Sequence, residues 1–442
     1  MKNNLFSNAV WIVSGKIVKA LLTLLVTILT ARYLGPTNYG TINYAAGLVA
    51  FAAPLMKLGL SAIIVRELVN RKDEEGKILG TVTALNVLSS VLCIVGITAF
   101  SVVANAGELE TILVCAIYSG LLLIQALEMV QYWFQARLLS KYTAIATVCA
   151  YICTALFQII LLVCGKGVYW FAASNSVEYG VLAIILFVIY MRNGGQKFSF
   201  SFHEAKRLLS VGRYYVFAEM MVVIFAQTDK IMLKFMIDSE AVGYYSAAVT
   251  CATMFGFVFA AIIDSARPVI IEARQRSNVE FEKNMTMLYS VIFYLALMVS
   301  CVITLFAPLI IQIMYGADYG ASVAPLRLIV WYIAFSLFGA VRNIWILAEE
   351  KQQYLWRINL CGAVANVVLN AILIPTWGIM GAAFASLVTQ FFTNVVVGFL
   401  LKPIRQNNAL MLSGLDIRLF VRLVKNTLKE MLSANQVKNK ME

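Results

Sequence analysis

The sequence predicts an all-α polytopic membrane protein. Of 442 residues, 61% are hydrophobic and 13% are charged, whereas soluble domains carry about 25% charged residues. Mean hydropathy is +0.82. The apolar residues gather in runs near the roughly 20 residues that cross a bilayer as helix. The runs of roughly 10 alternating residues that mark a membrane β-barrel do not occur.

Twelve spans are expected, over residues 10–31, 41–63, 79–103, 111–134, 143–164, 168–190, 211–236, 243–263, 286–313, 324–347, 357–375 and 379–401. The first carries Lys16 and Lys19. Its apolar run is too long for a leader peptide and no small-residue cleavage site follows it, so it reads as a spanning helix. ARYLGPTNYGTINYAAG, from Ala31 to Gly47, joins it to the second. Gly35 and Gly40 permit backbone angles closed to other residues, and Pro36 disfavours helix at Gly35. A very tight turn follows. The second span carries Lys57, the fourth Glu128, and the fifth Cys149 and Cys153. The eight cysteines all fall in apolar runs, with no histidine near that pair, and read as small hydrophobes.

After the sixth span comes a basic segment, 191–210, in which Ser201-Phe202-His203-Glu204 has the form of a capping box. The seventh span carries Glu219, Asp229, Lys230 and Lys234. Gly243-Tyr244-Tyr245-Ser246-Ala247-Ala248 opens the eighth as Gly40-Thr41-Ile42-Asn43-Tyr44-Ala45-Ala46 opens the second. Such an echo between two sets of six spans favours parallel internal repeats. Asp264 follows at the end of the eighth span, and Arg327, Arg342 and Asn343 lie in the tenth. Asn366 and Asn370 lie in the eleventh, Gln390 and Asn394 in the twelfth, with Pro375-Thr376-Trp377-Gly378 as an almost loopless junction. These amides must line a polar space or bridge helices.

Four regions result: a six-helix bundle over 1–190, a linker over 191–210, a second bundle over 211–401, and a basic tail over 402–442. In the tail, GLDIRLFVRLVKNTLKEML separates an apolar from a basic face. It suits a helix lying on the anionic lipids of the inner leaflet.

Lysine and arginine crowd alternate loops, including Arg66, Arg71, Lys72, Arg137, Arg192, Arg207, Arg274 and Lys351. The intervening loops hold little beyond Arg32 and Lys166, with Glu108, Asp238 and Asp318. The positive-inside rule then places both termini in the cytoplasm, with the chain in the inner or plasma membrane. It also explains a net charge of +12 without a nucleic-acid partner.

Charges at membrane depth mark function. The cations Lys16, Lys19, Lys57, Lys230, Lys234, Arg327 and Arg342 outnumber the acids, and Lys230 and Lys234 share a helix face. A cavity with excess positive charge suits an anionic substrate, phosphate above all. Snorkelling to the headgroups or local pairing is the competing account of each. No nucleophile, metal or nucleotide motif appears and no loop is long enough for a catalytic domain, so no enzyme activity and no cofactor are expected. A sodium or proton gradient, or the substrate itself, must drive any cycle.

The chain resembles the Wzx-like oligosaccharide flippases of the multidrug/oligosaccharidyl-lipid/polysaccharide exporter superfamily. Arg32, Leu34, Gly35, Tyr39 and Gly40 carry the likeness, with Gly59 to Glu67, Asp229-Lys230, Gly243-Tyr244-Tyr245, Leu309 to Gly316, and Asn366 through Pro375 to Gly381. The resemblance spans residues 8–401. It implies a flippase that moves a polyprenyl-diphosphate-linked oligosaccharide from the inner to the outer leaflet, with a polysaccharide polymerase as a partner. The two bundles would form a V-shaped cavity, with Asp229 and the intramembrane cations as its candidate lining and Arg32 near a mouth. A cation-coupled multidrug exporter and a flippase for the lipid-linked peptidoglycan precursor are the alternatives within the same superfamily.

Overall fold

The computed structural model describes residues 2–422, with side chains from Leu22 onward except at Tyr214 and Ala218. Among these residues there is helix and no strand. The tail expected to lie on the membrane, 415–432, falls mostly outside the described residues.

In chain order the helices are α1 Lys2–Lys57, α2 Ile64–Asn70, α3 Glu75–Ala104, α4 Leu109–Ser119, α5 Leu121–Gln125, α6 Gln131–Ala136, α7 Ser140–Val163 and α8 Val168–Arg192. After the linker come α9 Phe202–Met236, α10 Ser239–Thr253, α11 Gly256–Arg276, α12 Asn278–Met314, α13 Val323–Ala348, α14 Leu355–Trp377, α15 Ile379–Phe391, α16 Val397–Leu400 and α17 Arg405–Gly414. Eight helical stretches of the described residues are long and apolar enough to cross a bilayer, and two bent pairs bring the number to ten. The protein is therefore an all-α polytopic membrane protein.

Several boundaries differ from those expected, each for a local reason. The first two spans form one element, broken only at Gly35, whose φ of 72° and ψ of 172° lie just before Pro36. The second ends at Lys57 rather than at 63, because Leu58 and Gly59 both take positive φ. The fourth is a chain of short pieces with a 3-10 stretch at Ala126–Val130 that carries Glu128. The eighth runs on to Arg276 through a 45° bend after Thr253. The twelfth contains a π-helical turn at Phe392–Val396. Gly378, with φ 58°, is the whole junction between α14 and α15.

The interior divides into three main apolar clusters. At the end that holds Gly40, one cluster unites both halves of the chain, with Tyr39, Tyr44 and Leu122 beside Tyr245, Tyr315 and Leu326. At the linker end each half has its own: Leu60, Trp133 and Tyr190 in one, Phe259, Tyr289 and Trp345 in the other.

The linker is fastened to the N-terminal half. Ser199 N donates to Gly76 O (3.2 Å), Gly76 N to Gln196 Oε1 (2.9 Å), and Tyr190 OH to Gln196 O (2.7 Å). The expected capping box is half made. Ser201 Oγ accepts from Glu204 N at 3.4 Å. The Glu204 carboxylate instead takes Arg71 and Arg207, while Ser201 N donates to Thr81 Oγ1.

Candidate functional site

Two places join the halves or line a cavity. The first is a seam at the Gly40 end. Gly40 faces the carbonyl of Ser239, and Gly243 faces the carbonyl of Pro36; a Cβ on either glycine would overlap that oxygen. Ser239 follows Pro36 by 203 residues and Gly243 follows Gly40 by 203, so the contact is reciprocal. Glycine lets the α1 and α10 backbones approach where any side chain would hold them apart.

The seam is strapped on both sides. Arg32 donates to the carbonyls of Ile313 (2.6 Å) and Gln312 (3.2 Å) at the end of α12. Tyr319 OH donates to Ala31 O at 2.8 Å. Lys234, 7% exposed, pairs with Glu108 at 2.5 Å, and its ammonium holds the Glu108 carboxyl below the usual range. Each half thus sends a cation from the end of its first span to the other half: Arg32 to the end of α12, Lys234 to the loop between α3 and α4. Beside the seam is a cavity of about 460 Å³, lined by Asn38, Thr41, Glu108, Lys234 and Asp238 among others.

The second place lies deeper, at Asp229, which is 6% exposed. Its Oδ2 accepts from Tyr245 OH and Ser386 Oγ, both at 2.5 Å. Its Oδ1 accepts from Asn370 Nδ2 (2.6 Å) and Asn366 Nδ2 (3.1 Å). Four donors from α10, α14 and α15 stabilise one buried carboxylate, as burial requires. Lys230, the next residue, forms no hydrogen bond or ion pair among the described residues. Both line a cavity of about 280 Å³ between α9, α10, α13, α14 and α15. Two carboxamide oxygens on its wall, Gln227 Oε1 and Asn366 Oδ1, are buried without partners.

The candidate residues do not all converge. Asp229 and Lys230 share the deep cavity. Lys234 and Arg32 belong to the seam, as do Gly40 and Gly243; Gly35 and Pro36 form the turn beside it. Lys57 is half-buried at the end of α1, and Arg327 is exposed on α13. Arg342, 4% exposed, is turned into the C-terminal half, where it donates to Thr393 O in the π turn at 2.9 Å. The side chains of Lys16 and Lys19 lie outside the described residues. The separation of 203 sets Lys230 and Lys234 against Thr27 and Ala31, so the lysine pairs of the first and seventh spans do not occupy equivalent positions.

Sequence reading missed Gln227, Tyr245 and Ser386. The amide pair Asn366 and Asn370, four apart on one face, was the available signal for the group on Asp229. Gln390 accepts from Asn394 at 2.6 Å. No group of three or more His, Cys, Asp or Glu side chains that could hold a metal occurs among the described residues. The arrangement offers charge and hydrogen bonds to a ligand.

The polysaccharide biosynthesis protein family is matched over residues 5–274. A putative O-antigen transporter of Shigella flexneri is 21% identical over 406 residues, 86% of this chain and 94% of its own length. The capsular polysaccharide biosynthesis protein CapF of Staphylococcus aureus is 20% identical over 392 residues, 85% and 94% of the two chains. Among solved structures, the lipid II flippase MurJ in an inward closed conformation superimposes with a TM-score of 0.72 at 15% identity, covering 93% of this chain and 92% of its own. A multidrug resistance MATE family transporter of the MOP superfamily, inward-facing, gives 0.64 at 18% identity, covering 89% and 95%.

Proposed function

Because the chain belongs to the polysaccharide biosynthesis protein family, we propose that it is a membrane transporter that carries a polyprenyl-diphosphate-linked saccharide across the cell membrane by alternating access. No covalent bond changes; the barrier lowered is the desolvation of sugar hydroxyls and phosphates in hydrocarbon. The observation that carries the reading is Lys230, a half-buried cation in a polar cavity with no carboxylate or carbonyl bonded to it. An anionic cargo supplies the missing partner.

The chain is read as twelve spans in two six-helix bundles forming a V, joined at the seam. The single shared core at the Gly40 end and the two separate cores at the linker end support that shape. The linker end and both termini are read as cytoplasmic, which the loop cations support. The tail then meets anionic inner-leaflet lipids, and a polysaccharide polymerase takes the cargo on the far side. A proton or sodium gradient would drive the cycle.

A second reading has its own support. The likeness to the MurJ fold, at a TM-score of 0.72, favours a lipid-linked peptidoglycan precursor as cargo over an oligosaccharide repeat unit. The MATE likeness favours drug export, against which the unpaired Lys230 counts for cationic drugs. Transfer assays in proteoliposomes separate the three. Labelled polyprenyl-diphosphate oligosaccharide, lipid-linked peptidoglycan precursor and a cationic dye are offered under the same gradient. Movement of the oligosaccharide lipid supports the proposal; movement of only the precursor or the dye replaces it.

A further inference from the structure

The last span breaks its α-helical register at a point that its buried residues explain. From α15 through the π turn to α16, buried residues recur in pairs four apart: Ala385 with Ser386, Thr389 with Gln390, Thr393 with Asn394, Val397 with Gly398. Four residues overshoot one α turn by about 40°. Between Ser386 and Gly398 a regular helix would therefore carry the stripe about 120° round its axis, and one end of it would leave the interior. The π turn at Phe392–Val396 takes one residue more than an α turn. That extra residue sets the stripe back by about 100°, so both ends face inward.

A π turn is rare on its own, and this one is clamped from two sides. Arg342, 4% exposed on α13, finds no carboxylate among the described residues and donates to Thr393 O at 2.9 Å. Asn408, 0% exposed on α17, donates to Val395 O at 2.6 Å. Neither helix leaves slack: a Cβ on Gly398 would overlap the Asn408 side chain, and one on Gly339 would overlap Asn394. Asn394 Nδ2 in turn donates to Gln390 Oε1 at 2.6 Å, and Ser386 Oγ, one turn earlier, donates to Asp229. The stretch holding α17 reads from sequence as a basic tail, yet Tyr289 OH donates to the buried Asn407 Oδ1 at 2.9 Å. We infer that Arg342 and Asn408 are positioning residues: by holding the π turn they keep Ser386 on Asp229 and Gln390 on the cavity wall, so a helix beyond the last span sets the geometry of the deep cavity. The consequence for transfer rests on the transporter reading above; the geometry does not.

The test is thiol labelling of the full chain in nanodiscs, with the native cysteines replaced and one cysteine placed at Gln390 on α15 or at Val249 on α10, both on the cavity wall. Asn408→Leu should slow labelling at Gln390 roughly three- to tenfold, as loss of one hydrogen bond predicts, and leave Val249 unchanged. Deletion of Val396 removes the extra residue, so the turn closes as α-helix with both flanks still facing inward. Asn408→Leu in that background should leave Gln390 at the parental rate. Arg342→Met should act like Asn408→Leu, and Arg342→Lys should stay near the parent; this pair decides if the deleted chain does not reach the membrane. Equal changes at both cysteines, no change at Gln390, or slow labelling that persists in the deletion background overturns the inference. Slowed labelling with parental transfer of the oligosaccharide lipid in proteoliposomes leaves the positioning standing and sinks the placing of transport at this cavity.

Discussion

The two ends of the boundary between the halves are held by different physics. At the seam, backbone lies against backbone at Gly40 and Gly243, with Arg32 and Lys234 as outlying straps. At the linker end, charges do the fastening: Glu204 takes Arg71 at 2.8 Å and Arg207 at 2.9 Å, and Glu67 takes Arg207 at 2.7 Å. The seam joins one half to the other. The clasp joins the linker and the start of α9 to the N-terminal half, while the rest of α9 packs on both α1 and α14. So α9 is shared, anchored to one half at its start and lying between the two beyond its bend after Arg213. A close-packed glycine contact tolerates no bulk and itself holds no charge; the one buried ion beside it, Lys234, has a partner, Glu108, that is half in solvent. A charge clasp resists separation, because parting it leaves buried carboxylates unpaired. Opening is therefore expected at the seam, with the clasp intact.

The sharpest way to break this contrast is bulk at the seam. Gly243→Leu drives a side chain into the Pro36 carbonyl. Overpacking of this kind costs about 1–3 kcal/mol or more, so the sealed state should be lost and transfer should fall roughly tenfold. A cysteine placed at Asn38 should meanwhile become more reactive to a membrane-impermeant thiol reagent. Parental transfer and unchanged labelling would show that the seam does not gate.

The clasp should respond in stability instead. Glu204→Gln weakens hydrogen bonds to two guanidinium groups and should lower stability by about 1–3 kcal/mol, read by thermal unfolding in detergent. Labelling at Asn38 should not change. If it rises, the two ends are coupled and the contrast fails.

Acid titrates the same clasp. Arg71 and Arg207 hold the Glu204 carboxyl down to about 2, and Arg207 keeps Glu67 below its ordinary range. For lowered carboxyls, the stabilisation is complete above the ordinary value of 4.5 and is lost as pH falls from there through the folded value. Unfolding temperature should be insensitive to these groups from pH 6 to 8 and should drop below about pH 4.5. Glu204→Gln should flatten that drop. A drop of equal size in the variant would assign it to other acids.

The smallest effect belongs to the Lys234 strap. Its partner Glu108 has a side chain 52% exposed, so screening leaves the pair about 0–1 kcal/mol. Glu108→Gln should raise labelling at Asn38 slightly, and high salt should produce the same change in the parent. A large effect on unfolding temperature would mean that the strap, not the glycines, holds the seam.

Much of this was legible from residues alone, and the remainder failed for identifiable reasons. Gly35-Pro36 announces a turn because φ and sterics act locally, and the break falls there. The Gly40 and Gly243 motifs can be seen to echo each other. That they touch cannot be seen, since the contact joins Gly40 to Ser239 and Pro36 to Gly243 across the length of the chain, and no local pattern encodes it. Depth was readable for Arg342, but direction was not: α13 is apolar on every side, so no stripe tells which face is inside. Glu67 and Glu75 were hidden among loop cations. Glu75 is buried under Arg137 at 2.9 Å and Trp133 at 2.7 Å, a role visible only once the loops have folded.

The reciprocal seam has the symmetry of a dimer. When residue i of one copy meets j of the other and j meets i, the contact is isologous, as in a homodimer on a two-fold axis. Pro36 with Gly243, and Gly40 with Ser239, meet that description inside a single chain. Two identical subunits could make the same joint, and a fused, duplicated gene would inherit it ready-made. The seam has glycine at both positions 203 residues apart, whereas Asp229, Lys230 and Gln227 correspond at that offset to Val26, Thr27 and Leu24. The joint is shared by the two halves, and the charged chemistry belongs to one.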